Sequence, residues 1–467
     1  MPVNSFEDYK MSWKPDQKAL NSPKYLSLAN LLEVDIKKGS LKPGTKLPPQ
    51  RELADYLDMN LSTITRAFKL CSMKGLISSA VGNGTFVASD AASNHILLQE
   101  EESKLIEMGA ILPDARGNQR VLDYIHKVIT EDNHLCSMQY ALPEGNARQK
   151  AAARTWLMRA QISVDDSQIL LSNGGQNAIS AVLSGVFQRG DTIGTNSVIY
   201  PGFKAAAKMM GIKVVPIDEE NAELTRDGIM YACRNESMKG IYVIPDFSNP
   251  TTHTMSLSER RMIADVAKEY DLIVIEDAIN THLSQTVLPA IAAFAPKNTI
   301  HIASLSKIFS PGLRLAYIAV PEQHRAELLN ALYCLNISVS MLMVEVATRL
   351  IESGEGDLIA RDRRNLVIQR NQMLNQMLPN IPVLGEDVCS FRWMLLPNEF
   401  SGKSFELCAR SSGLQVYSSE RFAVGSVPVQ NAVRLAIPSA NSEIEFERGL
   451  NILISLLEAE DTIEFIF

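Results

Sequence analysis

The sequence predicts an α/β protein with a small helical N-terminal domain and a much larger domain built on a mostly parallel sheet. The chain has 467 residues, which is too long for one ordinary domain of roughly 100–200 residues. From about Lys104 to the end, apolar runs of strand length, such as Ile169–Leu171 and Ile241–Ile244, alternate with segments of helical periodicity. That alternation is typical of a parallel sheet covered by helices. We therefore divide the chain into an arm (1–22), a small domain (23–88), a linker (89–103) and a large domain (104–467).

The composition excludes several classes of protein. Hydrophobic residues make up 46% and charged residues 21% of the chain, as in ordinary globular proteins, which excludes a disordered, collagen-like or coiled-coil chain. The longest apolar-leaning stretch, Leu329–Leu350, is interrupted by Asn330, Asn336 and Glu345 and predicts a buried helix rather than a membrane span. The first ten residues lack the apolar region of a secretory signal peptide.

The net charge of −8 is unevenly distributed along the chain. Residues 1–90 hold 12 Lys and Arg against 9 Asp and Glu, whereas the remainder holds 33 against 44. A mildly basic first domain on an acidic protein is compatible with a local contact to nucleic acid. The six cysteines are far apart and include no Cys-x-x-Cys pair, so neither a zinc site nor a disulfide framework is indicated. A reduced cytoplasm is the expected compartment.

Three helices and two strands are predicted in the small domain, after an arm whose polar, aperiodic sequence predicts a loose segment. Asn60 is a favourable N-cap for the third helix and Gly75 ends it. Asn83-Gly84 is a strong hairpin signal. The predicted elements are helices at Leu28–Ile36, Arg51–Leu57 and about 60–74, and strands at Leu76–Ala80 and Thr85–Val87.

Two helices at a tight turn followed by a hairpin wing are typical of a DNA-reading unit. The second helix of the pair is expected in the major groove of double-stranded DNA, the residue at the start of the preceding helix on a phosphate, and the wing tip near the minor groove. The predicted DNA-binding residues are Arg51, Ser62, Thr63, Thr65, Arg66, Asn83 and Gly84. The layout alone is equally compatible with a protein-interaction module.

Three segments between Tyr25 and Val87 decide between these alternatives. GSLKPGTKLPPQRELADYL, TITRAFKLCSMKGLI and GNGTFV together resemble the GntR family of winged helix-turn-helix regulators. That family usually has Arg at the start of the reading helix, where this chain has Leu61. The difference predicts the loss of one contact to a base or phosphate.

The large domain contains a lysine in a segment suited to a phosphorylated aldehyde cofactor. In ASLSKIFSPGLRLAYIA, Lys307 follows a buried strand and Arg314 comes seven residues later. A lysine amine forms a Schiff base with an aldehyde, and Ser304, Ser306 and Arg314 are suited to binding a dianionic phosphate. Taken alone, a lysine after a strand is more commonly an ordinary surface residue.

Four further segments are compatible with the same cofactor, although each has an ordinary structural explanation when taken alone. Asp277 ends a buried strand and is suited to a protonated pyridine nitrogen. Asn249, in an Asn-Pro pair, is suited to the ring hydroxyl. A strand, a glycine turn and a helix place the backbone of Gly175 and Gln176 to cradle phosphate. Tyr200 is a candidate to stack on the ring.

These five segments, in this order, resemble the fold-type I aminotransferase family over about Lys104–Phe467. The resemblance implies a small C-terminal α+β subdomain and pyridoxal 5'-phosphate, with Lys307 as the Schiff-base lysine and the residues above in the roles given. It also implies that Tyr140 reaches the phosphate of the neighbouring subunit and that Arg434 binds a carboxylate of the ligand. An ordinary solvated arginine is the alternative for Arg434.

A GntR-like domain joined to an aminotransferase-like domain resembles the MocR-type regulators. That resemblance implies a head-to-tail homodimer, a double-stranded DNA operator with repeated half-sites, and sensing of an amino compound by aldimine exchange. An active aminotransferase with an accessory DNA-binding domain is the alternative, and a cofactor-free scaffold is a third. Three positions depart from the aminotransferase pattern: Thr252 and Ala316 replace Gly, and Ile279 replaces a Tyr. The Tyr helps to bind the ring oxygen, so we expect regulation rather than efficient transamination.

Overall fold

The computed structural model describes residues 11–17, 20–37, 40–41, 45–73, 76–80, 84–87, 105–131, 140, 142–284, 286–397, 400–425 and 429–458. The chain divides into two compact units. The first unit comprises residues 1–99 together with 420–428, and the second comprises residues 100–419 and 429–467. The predicted linker, 89–103, lies outside the described residues.

The first unit contains the three helices and the hairpin that the sequence predicts. The helices are α1 (Lys24–Lys37), α2 (Gln50–Tyr56) and α3 (Leu61–Met73), and the strands are β1 (Ile77–Ala80) and β2 (Gly84–Val87). α3 buries Ile64, Ala67, Phe68 and Cys71 at helical spacing. Burying one such large apolar side chain contributes about 1.5–3 kcal/mol, so this face fixes α3 to the domain core and leaves its polar face exposed.

The prediction of a loose arm is wrong for the described part of residues 1–22. Trp13 is buried in the core of the first unit, and its indole N–H donates to Asp35 over 2.8 Å. The Gln17 side chain donates to the backbone carbonyl of Leu57 over 2.8 Å. A single tryptophan in a polar segment gives no periodic signal, yet its large apolar area is sufficient to hold the segment on the core.

The second unit is built around a seven-stranded sheet in the order β4-β12-β11-β10-β9-β5-β6. All neighbours in this sheet are parallel except β12, which runs antiparallel to both β11 and β4. The strands of this unit are β3 (Ile106–Glu107), β4 (Ile169–Ser172), β5 (Thr192–Thr195), β6 (Lys213–Pro216), β7 (Glu219–Glu220), β8 (Glu223–Leu224), β9 (Met238–Val243), β10 (Ile273–Asp277), β11 (Thr299–Ser304), β12 (Ala316–Ala319), β13 (Val383–Leu384), β14 (Phe391–Leu395), β15 (Leu414–Gln415), β16 (Tyr417–Ser418) and β17 (Ala432–Ala436). The predicted mostly parallel sheet is therefore confirmed.

Helices connect and cover these strands, and apolar cores form around Trp156, Phe309 and Tyr317 and around Ile241, Ile263 and Val274. The helices are α4 (Asn118–Thr130), α5 (Ala147–Leu157), α6 (Gly175–Gly185), α7 (Pro201–Met210), α8 (Arg226–Glu236), α9 (Leu257–Tyr270), α10 (Ile291–Phe294), α11 (Glu322–Asn336), α12 (Met341–Glu352), α13 (Glu355–Met377), α14 (Gly402–Ser411) and α15 (Glu443–Glu458). Within the described ranges, no helix combines the length and the apolar character needed to cross a membrane.

A smaller antiparallel sheet, β13-β14-β17-β16, packs with α14 and α15 near the C-terminus and forms the expected α+β subdomain. The connection between β16 and β17 differs from the predicted boundary, because residues 420–428 group with the first unit. Adjacent antiparallel strands need only roughly two to five connecting residues. The connection 419–431 is much longer.

Candidate cofactor site and nucleic-acid interface

Most of the predicted cofactor residues lie at one edge of the seven-stranded sheet. Asp277 ends β10 and Ser304 ends β11, and Lys307 follows three residues later. Asn249 lies in the segment after β9, and Gly175 begins the helix after β4. β4, β9, β10 and β11 all point the same way, so their carboxyl ends meet at the edge where open α/β sheets bind ligands.

Glycine, hydroxyl and guanidinium groups converge at the predicted phosphate site. Gly174 has a φ of +85°, and a Cβ there would lie 2.9 Å from a guanidinium nitrogen of Arg314. A Cβ on Gly175 would lie 3.3 Å from the Ser304 Cβ. Arg314 also donates to the Asn173 carbonyl over 3.2 Å. The absence of side chains at the two glycines therefore lets Arg314 and Ser304 approach the backbone at the start of α6.

Lys307 is held in surroundings that favour a neutral amine. Its Nζ donates to the backbone carbonyl of Ile111. Burial lowers the pKa of Lys307 from 10.5 to about 7, and the charges of Arg434 and Arg314 act in the same direction. A neutral amine is the nucleophilic form required for attack on an aldehyde.

Asp277 has one carboxylate oxygen bonded and one available. The hydroxyl of Tyr242 donates to Oδ2 over 2.9 Å, whereas the buried Oδ1 has no hydrogen-bond partner among the described residues. Burial raises the pKa of Asp277 to about 6, although the Tyr242 hydroxyl, the backbone of Ile279 and the charge of His301 oppose that rise. A buried oxygen without a partner is costly, so Oδ1 is suited to a cationic N–H group from a ligand.

Tyr200 caps the start of α7 and lies close to the same carboxylate. Burial and the charge of Asp277 raise the pKa of Tyr200 to about 12. A Cβ on Gly202 would lie 2.4 Å from the Tyr200 hydroxyl, and the Gln176 side chain donates to the Gly202 carbonyl over 2.9 Å. The side chain of Gln176 thus joins α6 to α7. The predicted role of Gln176 in phosphate binding concerns its backbone N–H and not its side chain.

Arg434 and Asn249 are in direct contact. Arg434, 5% exposed on β17, donates to the Asn249 side-chain oxygen over 2.6 Å and to the Gly109 carbonyl. The guanidinium carbon lies 5.9 Å from the centre of the Phe391 ring and 5.5 Å from that of Tyr417. The alternative of a solvated arginine is therefore wrong, and the two residues expected to bind the ligand carboxylate and the ring hydroxyl are joined by a hydrogen bond.

These residues fit pyridoxal phosphate. Asp277 Oδ1 and the Ser306 hydroxyl are buried and lack partners within the described part of the chain, and they match a pyridinium N–H and a phosphate oxygen. The glycine turn brings the Arg314 guanidinium and Ser304 to the start of α6, and these are groups suited to phosphate oxygens. Lys307 supplies the amine for the aldehyde.

The predicted nucleic-acid interface is largely exposed. Arg51, Ser62, Thr65 and Arg66 are exposed and Thr63 is half-buried. Two of these side chains have partners within the domain: the Thr65 hydroxyl donates to Gln50 over 2.8 Å, and the Arg66 guanidinium carbon lies 4.0 Å from the centre of the Tyr25 ring. Gly84 opens β2 with a φ of +109°. Asn83 lies outside the described residues.

Comparison with known proteins supports both parts of this description. Residues 24–87 match the family described as bacterial regulatory proteins, gntR family, and residues 125–452 match aminotransferase class I and II. The chain is 47% identical over 459 residues to YdeF, an uncharacterized HTH-type transcriptional regulator of Bacillus subtilis (strain 168), covering 98% of this chain and 99% of that protein. The chain belongs to the aminotransferase class I and II family and carries an N-terminal gntR-family domain. It is also 21% identical to YdcR of Escherichia coli (strain K12), with 86% of this chain and 92% of that protein covered.

Solved structures show the aminotransferase fold over most of the length of the chain. An archaeal alanine:glyoxylate aminotransferase matches with a TM-score of 0.70 and 22% identity, covering 77% of this chain and 92% of that one. LysN, the α-aminoadipate aminotransferase of Thermus thermophilus, matches with a TM-score of 0.68 and 20% identity, covering 76% and 92%. The aminotransferase fold implies dependence on pyridoxal phosphate, and the GntR domain implies DNA binding.

The departures from the aminotransferase pattern have structural consequences in this chain. Thr252 is buried with a φ of +65°, a conformation in which Gly is less strained. Gly385 accommodates it, because a Cβ there would lie 3.1 Å from the Thr252 side chain. Ile279 brings no hydroxyl to the site. Tyr140 is 86% exposed in the single chain, and its contact with a neighbouring subunit remains a prediction.

Sequence reasoning missed several candidate functional residues. Tyr242, which bonds Asp277, lies among the apolar residues of β9, where its sequence context indicates only a core residue. Lys69 is exposed on α3, and Lys46 lies beside the wing, where a Cβ on Gly84 would be 3.0 Å from its Cε. Lys46 is separated from the wing in sequence by the intervening helices, so only the bridge between Lys46 and Phe86 reveals its position.

Proposed function

We propose that this chain is a PLP-dependent transcriptional regulator that binds a DNA operator through its GntR domain and senses an amino compound through its aminotransferase-like domain. One observation carries the proposal: a chain with a GntR domain also contains both Lys307 and Asp277 at one edge of the sheet. The pKa of Lys307 is lowered to about 7, and the Oδ1 atom of Asp277 lacks a partner in the described residues. Repeated half-sites, a head-to-tail homodimer and a cytoplasmic location are part of the proposal.

The residues divide the work of binding as follows. Arg314, Ser304, Ser306 and the start of α6 hold the phosphate, and Asp277 holds a proton at the pyridine nitrogen. Bound pyridoxal phosphate supplies an aldehyde carbon that accepts amines. An effector with an amine and a carboxylate would place its carboxylate on Arg434 and its amine beside Lys307. A new ion pair at Arg434 and changed contacts of Lys307 would then distinguish the liganded state from the free one, as a population shift requires.

The first experiment is to record the visible absorbance of the purified protein with pyridoxal phosphate, beside Lys307→Ala and the control Lys297→Ala, an exposed lysine. We expect a band in the wild type and in Lys297→Ala that is altered in Lys307→Ala. Amino acids and vitamers are then added one at a time, and the compound that shifts the band is tested for its effect on binding to the promoter DNA upstream of the gene. Absence of the band in the wild type would contradict the proposal.

An active aminotransferase is the second candidate, because Lys307, Asp277, Asn249 and Arg434 are all present, Arg434 bonds Asn249, and the charge of Arg434 acts on Lys307. The two functions differ in turnover. Steady conversion of an amino acid with a keto acid at ordinary enzyme rates of about 1–10³ per second supports the enzyme. A single stoichiometric reaction, or none, together with ligand-dependent DNA binding supports the regulator.

A further inference from the structure

Tyr242 is placed to control the carboxylate of Asp277. In the pairing of β9 with β10, Tyr242 lies opposite Ile275, and Asp277 is two residues further on, so both side chains lie on the same face of the sheet. The Tyr242 hydroxyl donates to Asp277 Oδ2 over 2.9 Å. Both side chains are buried, so water does not substitute readily for this hydrogen bond.

The ring of Tyr242 is itself held in place. Phe203 stacks on it with ring centroids 3.8 Å apart and an interplanar angle of 11°. Phe203 lies in the first turn of α7, close to the cap residue Tyr200. A fixed ring directs the hydroxyl to one oxygen of Asp277, and this leaves the other oxygen, Oδ1, without a partner among the described atoms.

We propose that Tyr242 is a positioning residue that orients Asp277 so that Oδ1 receives the pyridine N–H of the cofactor, an inference that rests on the proposed function. By donating to Oδ2, the hydroxyl stabilises the ionised carboxylate, the form that pairs with a pyridinium. Titratable groups act on Asp277 from three elements: Tyr242 on β9, His301 on β11 and Tyr200 at the start of α7. Of these, Tyr242 is the one that forms a side-chain hydrogen bond with Asp277.

The test compares Tyr242→Phe with the matched control Tyr317→Phe. Tyr317 is another fully buried tyrosine, on β12, and its hydroxyl has no partner among the described residues. Three quantities are measured on the full-length protein: the dissociation constant for pyridoxal phosphate, the midpoint of the pH titration of the visible band, and the thermal unfolding temperature of the cofactor-free protein.

We expect Tyr242→Phe to weaken cofactor binding by roughly threefold to tenfold, because one buried hydrogen bond to a charged group is lost. We also expect the midpoint of the pH titration to move by about half a pH unit or more. Tyr317→Phe is expected to change neither quantity. In a double-mutant cycle, Tyr242→Phe should have a smaller effect in an Asp277→Asn background, since its action passes through that carboxylate.

Unchanged affinity and midpoint in Tyr242→Phe overturn this inference and leave the proposed function intact. A loss of thermal stability with an unmoved midpoint assigns Tyr242 a purely structural role and also overturns it. Equal effects of Tyr242→Phe in the wild-type and Asp277→Asn backgrounds also overturn the inference, because the tyrosine would then not act through Asp277. A wild-type protein that binds no pyridoxal phosphate overturns the proposed function and, with it, the role of Tyr242.

Discussion

Arg434 donates a hydrogen bond of 2.6 Å to the side-chain oxygen of Asn249. The two residues come from β17 and from the segment after β9, so this bond joins the small antiparallel sheet to the edge of the main sheet. A ligand carboxylate that binds Arg434 has to share the guanidinium with Asn249 or replace Asn249 as its hydrogen-bond acceptor.

The Arg434–Asn249 contact predicts how the response to an effector depends on the guanidinium. Arg434→Lys keeps the charge but loses the forked donors, so we expect the effector concentration for the half-maximal spectral change to rise about tenfold. Arg361→Lys, at an arginine side chain that is 61% exposed on α13, is the matched control and should leave that concentration unchanged. An unchanged response in Arg434→Lys would place the carboxylate site elsewhere.

The lowered pKa of Lys307 predicts a pH-dependent cost to the stability of the cofactor-free protein. The ordinary pKa of 10.5 applies in the unfolded chain and a pKa of about 7 applies in the folded one. Folding therefore releases a proton between pH 7 and pH 10.5, whereas below pH 7 the folded protein buries the charged amine. The cost is therefore complete below pH 7, declines as pH rises from 7 to 10.5, and vanishes above that range. We expect Lys307→Met to raise the unfolding temperature at pH 6 by several degrees and at pH 10 by much less, as measured by scanning calorimetry. Lys297→Met should show neither gain, and an equal gain at both pH values would contradict the lowered pKa.

The exposed face of α3 predicts that DNA binding and cofactor binding can be separated. Arg66→Ala should weaken DNA binding about tenfold and reduce the slope of affinity against salt concentration by about 1, because one contact to the DNA backbone is lost. Cofactor affinity should not change. Arg261→Ala, an exposed arginine of α9 in the second unit, serves as the control. Equal losses of DNA and cofactor affinity in Arg66→Ala would show that the two domains are not independent.

The contact between Gly385 and Thr252 predicts a crowding penalty that depends on both residues. Gly385→Ala should destabilise the protein by about 2 kcal/mol or more, since it adds backbone strain at a φ of +113° and a Cβ 3.1 Å from Thr252. Gly413→Ala, at a φ of +91° with no atom within 4 Å of the added Cβ, should show the strain alone. In a Thr252→Gly background, Gly385→Ala should lose this excess and destabilise the protein only as much as Gly413→Ala does, as measured by denaturant unfolding. An identical penalty in both backgrounds would show that the side chains do not compete for space.

The residues that carry chemistry were predictable where a polar group interrupts a regular pattern. Lys307, Asp277 and Asn249 each follow a buried apolar strand, and the common direction of these strands brings them to one edge. The helices of the first unit were predictable for a similar reason, because caps and glycines bound short periodic runs. The roles of these residues remain predictions until the experiments above are done.

Other features left no signal in the sequence. Tyr242 lies in a sequence context typical of a core position. Only the pairing of β9 with β10 reveals that Asp277 is its partner. The reversed direction of β12 was not predictable, since an apolar run has the same composition whichever way the strand runs. The position of Trp13 depends on tertiary packing between distant parts of the chain, which local periodicity does not encode.

The pairing of β11 with β12 has an evolutionary consequence. Ser304 lies opposite Ala316 in this antiparallel pair, so the residues between them form a closed loop that contains both Lys307 and Arg314. In the function that we propose, this one loop binds the cofactor at its aldehyde and at its phosphate. Most loops tolerate insertions and deletions, but a change of length in this one would shift Lys307 relative to Arg314. We therefore expect relatives that keep the cofactor to differ in the side chains of this loop and not in its length.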